Sequence, residues 1–328
     1  MNTTRSSWLM VALLAGCGSG DNEEPRWNTE SSNGTALGPV AGAPAAGTPP
    51  AAPAPAPTPP APTPPGPTPP PPPPPAPTPA PPPPPPPPAA ACSSLALCDD
   101  FESGTVGAVP DSARWAVGGP NCFSGSGKAT VDGSVARSGS KSVRIDPGPD
   151  YCGHAFIETA AINTLGAVRY GRFYIRLAKA LDAAHVTFLS MRDANDVSGT
   201  QSQELRLGGQ SGIIKWNRSK DDATLPTLSP QGIAMSLPLP ANTWTCVEFK
   251  FDQTDGTIQT WVNGVAPAGL QQDGVATADV DQTWLAQINN WRPNLNLMRL
   301  GWEAYGGQTN TVWIDDVALG STRIGCGS

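Results

Sequence analysis

From about Cys92 onward the sequence predicts an all-β protein, a two-sheet sandwich of jelly-roll type. Three observations carry this prediction. Short β-prone runs recur along the chain, separated by clusters of Gly, Pro, Asn and Asp, which is how a sandwich punctuates its strands. Apolar and polar side chains alternate within these runs, most clearly over residues 203–217. Convincing amphipathic helices are absent, with 280–289 the one fair candidate for a short helix.

The alternation over 203–217 organises the domain. Leu205 and Leu207 point one way, and Glu204 and Arg206 point the other. After a Gly-rich turn, Ile214 and Trp216 alternate with Lys215 and Asn217 in the same manner. Two strands of a hairpin thus carry one face for the core and one face for water. The wet face gathers Glu204, Arg206, Lys215 and Asn217, a set suited to a polar, charged ligand. A merely solvated sheet face is the alternative reading.

The chain begins with what reads as an export signal over residues 1–17, with Arg5 supplying the positive charge and residues 8–14 a short apolar run. The run ends in Leu14-Ala15-Gly16-Cys17, which resembles the lipobox of bacterial lipoproteins. That resemblance implies cleavage before Cys17, lipidation of Cys17 and anchoring to a membrane. Gly18 stands where an aspartate would signal inner-membrane retention, so the outer membrane of the cell envelope is expected. An ordinary signal peptide is the alternative. Residues 18–91 form a tether. Of the 41 prolines in the chain, most lie between Pro39 and Pro88. Proline lacks the N–H and fixes φ, so a disordered, extended polyproline spacer is expected. About 50 such residues at roughly 3.1 Å each would reach on the order of 150 Å.

The domain proper occupies 92–328. A first strand is read at 98–102, followed by a turn at 103–105. Further strands are read at 142–145, 154–159, 170–177, 186–191, 245–252, 258–263, 297–302 and 311–318. Asp255-Gly256 and Asn263-Gly264 supply turn dipeptides on either side of one of them. The first and last strands are expected to pair. No later run of 18 apolar residues announces a spanning helix. The net charge of -7, with no basic run, excludes a nucleic-acid partner. Six cysteines remain after Cys17, namely Cys92, Cys98, Cys122, Cys152, Cys246 and Cys326. An even number in an exported domain predicts three disulfides. Cys122 is paired with Cys152 because both lie in Gly-rich loops around one hairpin; the other four are left unordered. Zinc is not expected, since no C-x2-C pair occurs and the chain has only two His.

These strands also carry a family resemblance. Cys98-Asp99-Asp100-Phe101-Glu102, Leu205-Arg206-Leu207-Gly208 with Trp216-Asn217, Trp244-Thr245-Cys246-Val247-Glu248, and Trp313-Ile314-Asp315-Asp316-Val317 with Arg323-Ile324-Gly325-Cys326 resemble a concanavalin A-like jelly roll. The nearest resemblance is to the polysaccharide lyase-like group, which includes the core domain of fungal cellulose-induced proteins and the glucuronan lyases. It spans 92–326. It implies a structural calcium ion held by Glu102, a carbonyl of the Ser138-Gly139-Ser140-Lys141 loop, and Asp315 or Asp316, pinning the chain ends together. It also implies a lyase activity, and polar strand faces that bring Arg, Lys, Tyr and His to one groove would suit an acidic polysaccharide as partner.

Cleavage of a uronic acid polymer by β-elimination needs a cation to neutralise the carboxylate, a base for the C5 proton and an acid for the leaving oxygen. Arg206 or Arg172 is assigned the first task, His154 the second and Tyr174 the third, with Glu204, Lys215 and Asn217 binding substrate. His154 shares a strand face with Phe156 and Glu158; Arg172 and Tyr174 share one with Tyr170 and Arg176. The glucanase pattern E-x-D-x-x-E and the elbow G-x-S-x-G are both missing, which lowers the hydrolase and esterase readings. The rival reading is a non-catalytic carbohydrate-binding module in which Trp216, Trp261, Trp291 or Trp302 stacks on sugar rings.

Overall fold

The computed structural model describes residues 92–198, 201–306 and 308–327; Cys17 and the tether at 18–91 lie outside them. Fourteen strands are described: β1 (Leu97–Asp99), β2 (Ala116–Gly118), β3 (Lys128–Asp132), β4 (Ser142–Asp146), β5 (Ala155–Thr159), β6 (Val168–Leu177), β7 (Val186–Ser198), β8 (Gln201–Gln210), β9 (Ile213–Arg218), β10 (Ala223–Leu225), β11 (Thr245–Asp252), β12 (Ile258–Val262), β13 (Leu295–Ala304) and β14 (Val312–Gly320). They form two seven-stranded sheets. Sheet I runs β12-β11-β6-β14-β4-β3 with β1 also on β14, and sheet II runs β10-β9-β8-β7-β13-β5-β2. All strand pairs are antiparallel. This is the jelly-roll sandwich that the alternation predicts, and the first and last strands do pair, Leu97 opposite Leu319.

The core between the sheets is built from the apolar half of each alternation. Phe173, Ile175 and Leu177 of β6 and Val247, Phe249 and Phe251 of β11 meet Leu189, Leu205, Leu207, Trp216 and Leu300 from sheet II. The hairpin β8–β9 turns through Ser211 and Gly212, whose φ values of 54° and 77° are the two left-handed positions of a tight two-residue turn. Its register sets Leu207 opposite Trp216 and Arg206 opposite Asn217, so the two polar rows stay on the face turned away from the core.

The first strand is shorter than expected. Asp99 accepts a hydrogen bond from the Phe101 N–H at 2.9 Å and one from the Trp115 indole at 2.8 Å, and Phe101 takes φ 56°. The chain therefore turns where the sequence pattern continued the strand. The helix expected within 280–289 is α2 (Gln282–Gln287). A second short helix, α1 (Pro230–Ala234), escaped the periodicity; Ser229 caps it by accepting from the Gly232 N–H at 3.0 Å. Among the described residues no helix is long and apolar enough to cross a membrane.

All six remaining cysteines are paired: Cys92 with Cys98, Cys122 with Cys152, and Cys246 with Cys326.

Candidate functional site

The site is built on the outward face of sheet II. Strand register lines up two rows across it. One runs Glu158 (β5), Arg299 (β13), Ser190 (β7), Arg206 (β8), Asn217 (β9). The next runs Glu303 (β13), Thr187 (β7), Gly208 (β8), Lys215 (β9). The expected wet face is polar, as the sequence indicates, but it is not wet. Glu204 is 2%, Arg206 8%, Lys215 1% and Asn217 2% exposed. The rows cross five strands, and Tyr151 and Tyr305 pack over part of them on Glu303 and Arg206, with His185 stacked on Tyr305, which a two-strand pattern could not reveal.

A buried polar face must pair its groups or pay heavily for them. Part of this face is paired. Arg206 Nε donates to Glu204 Oε2 at 3.2 Å. Arg299 donates to Glu204 and, at 3.0 Å, to Glu158. Asn217 donates to Asp222 at 2.8 Å. Glu303, fully buried, accepts from the Tyr151 hydroxyl at 2.9 Å and from the Tyr305 hydroxyl at 2.8 Å. Part is not paired. His154 Nδ1, Thr187 Oγ1, Ser190 Oγ, Lys215 Nζ and Asn217 Oδ1 have no hydrogen-bond partner among the described residues.

His154 is held in one orientation. Its Nε2 lies 3.0 Å from the Pro120 carbonyl, which can only accept, so Nε2 carries the proton. Nδ1 is then the atom free to take one, 3.7 Å from Glu303 Oε1. Tyr151 meets His154 edge-on at 5.5 Å and Tyr305 at 5.9 Å. Tyr305 is stacked under His185 at 4.6 Å and faces the Arg206 guanidinium at 5.6 Å. Burial, then the Glu303 charge, push the Tyr151 phenol up to about 12, and burial raises Tyr305 as well. Both phenols therefore keep their protons at neutral pH. Burial pulls His185 down to about 4, leaving that ring neutral. Tyr151, His154 and Tyr305 border a cavity of about 230 Å³ that continues along Pro147, Pro149, Trp302 and Gln308.

The sequence matches the Cip1-like core domain of the polysaccharide lyase-like family over residues 100–322. The chain belongs to that family. Among solved structures, the cellulose-induced protein Cip1 is 42% identical with a TM-score of 0.62, covering 70% of this chain and 100% of that one. An endo-β-1,4-glucuronan lyase from the fungus Trichoderma reesei is 14% identical with a TM-score of 0.38, covering 64% of this chain and 96% of that one. A xylan-binding domain from Paenibacillus barcinonensis Xyn10C is 10% identical with a TM-score of 0.35, covering 71% and 96%. No curated protein matches the sequence.

In this Cip1-like domain Arg172 and Tyr174 do not join the groove. They lie on the outward face of β6 in sheet I, with the whole core between them and His154. Arg172 donates to the Asp316 carbonyl at 3.2 Å, and the Tyr174 hydroxyl donates to the Gly327 carbonyl at 2.8 Å beneath the Arg137 guanidinium. Their work is to hold the C-terminal segment. Alternation placed them on a polar face, correctly, but did not say of which sheet. Of the four tryptophans considered for stacking on sugars, Trp216 and Trp302 are fully buried. Trp261 lies under Arg323 at 4.2 Å, and Trp291 packs edge-on against Trp284 and Phe251. The residues that the sequence reading missed are Tyr151, His185, Arg299, Glu303 and Tyr305. A signal for two existed, since Arg299, Gly301 and Glu303 alternate with Leu300 and Trp302.

The residues expected to hold calcium gather around the 137–141 loop beside β14, but they do not fit the ion. Glu102 spends its carboxylate on the loop: Oε1 accepts from the Ser140 and Lys141 N–H groups at 2.8 and 2.7 Å, and Oε2 from the Ser140 hydroxyl at 2.8 Å. The Lys141 ammonium itself occupies the carbonyls of Glu102 and Gly104, at 2.7 and 2.9 Å. Asp316 is engaged by Arg137 at 3.2 Å and by the Ser138 hydroxyl at 2.9 Å. Asp315 accepts from the Arg137 and Asp316 N–H groups, while burial still pushes it up to about 7. Hard cations need several converging oxygens; here N–H and O–H donors already use them.

Proposed function

We propose that the domain binds an acidic polysaccharide along the outward face of sheet II and cleaves it by β-elimination. The observation that carries this reading is the set of buried, unpartnered polar atoms on that face: His154 Nδ1, Thr187 Oγ1, Ser190 Oγ, Lys215 Nζ and Asn217 Oδ1. Groups left unpaired in a buried place are groups that a ligand can pair. Cations at Lys215 and Arg206 would offset a uronate carboxylate, which acidifies the adjacent C5 proton. His154 Nδ1 is the base, and its Nε2–H bond to Pro120 fixes the tautomer that makes it one. Tyr305 or Tyr151 is the acid; each phenol is protonated and held on Glu303. Arg172 and Tyr174 have no part in this scheme.

Incubation with a panel of uronate polymers, followed by ultraviolet absorbance of the unsaturated product, tests the proposal. Absorbance should grow with the wild type and fall about a hundredfold or more in His154→Ala, the range expected for loss of a general base. Saturable retention of polymer with no new absorbance would instead favour the binding module, which the same unpaired atoms also support. Neither behaviour across the panel would reject both.

The proposal places the domain on a membrane through lipid at Cys17, on the strength of the lipobox sequence. Cys17→Ala should move the protein from the membrane fraction to the soluble one; unchanged fractionation would remove the anchor from the proposal.

A further inference from the structure

We infer that Lys215 is the carboxylate receptor of the groove, the residue that makes the domain select a uronate over a neutral hexose. The inference rests on the polysaccharide reading and deepens it. Four cations of the described strands lie along this face, and Arg192, opposite Glu204, donates to Asn296 at 2.9 Å. Arg206 is spent on Glu204, and Arg299 on Glu204 and Glu158. Lys215 is as buried as either, 1% exposed, yet its Nζ has no partner among the described residues. An ammonium enclosed with no hydrogen-bond partner is the least satisfied of these cations, and an anion brought to it gains the most.

Across the strand pair Lys215 faces backbone rather than a side chain. Its cross-strand neighbour is Gly208, which contributes no side chain. A side chain could not be tolerated there, because a Cβ would stand 1.8 Å from the Val186 carbonyl oxygen. One strand further lies Thr187, whose hydroxyl is also unpartnered. Two strand spacings put Thr187 roughly 9–10 Å from Lys215 in the backbone, with the Val186 carbonyl over Gly208 between them. Asp222, the acid whose charge acts on Lys215, accepts from Asn217 at 2.8 Å and makes no hydrogen bond with the ammonium.

The groups facing Lys215 fix the sign of its pH dependence. Burial pulls Lys215 down to about 8; Asp222 opposes this and Arg206 adds to it. His185 stays neutral over the same range. A bound carboxylate raises the lysine's value, so preference for the anion is full below about pH 8 and is lost as pH rises above it.

The test uses the full chain with polyglucuronate and its carboxyl-reduced, neutral counterpart, measuring retention of each by affinity electrophoresis. The wild type should hold the acidic polymer about tenfold or more tightly than the neutral one, a factor of ten being a modest share of what a desolvated charge pair contributes. Lys215→Met should bring the two within about threefold by weakening the acidic arm only, and Lys215→Arg should recover part of the difference. The melting temperature of Lys215→Met should not fall, since the substitution removes an uncompensated buried charge. A tenfold preference that survives in Lys215→Met overturns the inference and spares the polysaccharide reading. So does equal binding of both polymers by the wild type. Retention of neither polymer by the wild type overturns both.

Discussion

At the scale of the residue, Glu303 ties the polar face of sheet II together. It is fully buried, it accepts from two tyrosines, and it faces His154 Nδ1. Its charge is the second cause, after burial, of the raised Tyr151 phenol, held at about 12 against an ordinary 10.0. Glu303→Gln removes the charge and keeps the shape. Spectrophotometric titration of phenolate should then show one tyrosine ionising at lower pH than in the wild type, by about one unit if the charge supplies half of the shift. The change is partial because burial remains. An unmoved tyrosine titration would mean that burial alone raises the phenol. Lys215, Arg206, Glu204 and Asn217 were legible in the sequence because alternation over 203–217 is unbroken and the turn between the two strands is short. Tyr151, His185 and Tyr305 were not, because Tyr151 comes from a single 3-10 turn and the other two from loops, where no period announces a direction.

At the scale of the element, one strand pattern can be read two ways. β6 and β8 both alternate cleanly, so Tyr174 and Arg206 were equally eligible for one groove. The alternation of a strand states which side chains share a face and nothing about the sheet it joins. β6 lies between β11 and β14 in sheet I, and β8 between β7 and β9 in sheet II, so the two polar faces look in opposite directions. The loop at 137–141 shows the same limit in another form. Its sequence marks a place where acids and carbonyls gather, and the structure gathers them. The local chain, however, brings its own cations. Lys141 ties the turn after β1, and Arg137 ties Asp316 on β14, so the loop joins the two ends of the domain through ammonium and guanidinium groups.

At the scale of the whole molecule, most strands and the meeting of first and last strands were readable, while the short β2, β3 and β10 were not read and the order of strands could not be, because it is set by contacts between distant residues. The last strand shows the consequence. β14 sits inside sheet I, bonded to β6 on one side and to β4 and β1 on the other, so the sheet is incomplete until the C-terminus arrives. The segment after β14 is then locked down. Glu248 on β11 accepts from the Ile324 and Gly325 N–H groups at 2.8 Å each and from Arg323 at 3.0 Å, and Cys326 is bonded to Cys246 on the same strand. The three disulfides close chain separations of 80, 30 and 6 residues. In the chain-entropy account their removal costs about 4.5, 3.6 and 2.2 kcal/mol respectively, since the entropy lost by the unfolded chain grows with the logarithm of the loop. Paired Cys→Ala variants should therefore rank by urea midpoint, with Cys246/Cys326 lowest, Cys122/Cys152 next and Cys92/Cys98 closest to the wild type. The longest loop carries an added loss, because freeing Cys326 also loosens the segment that Glu248 holds. A midpoint for Cys246/Cys326 no lower than that for Cys92/Cys98 would show that the Glu248 contacts and the β14 pairing secure the C-terminus without the bond.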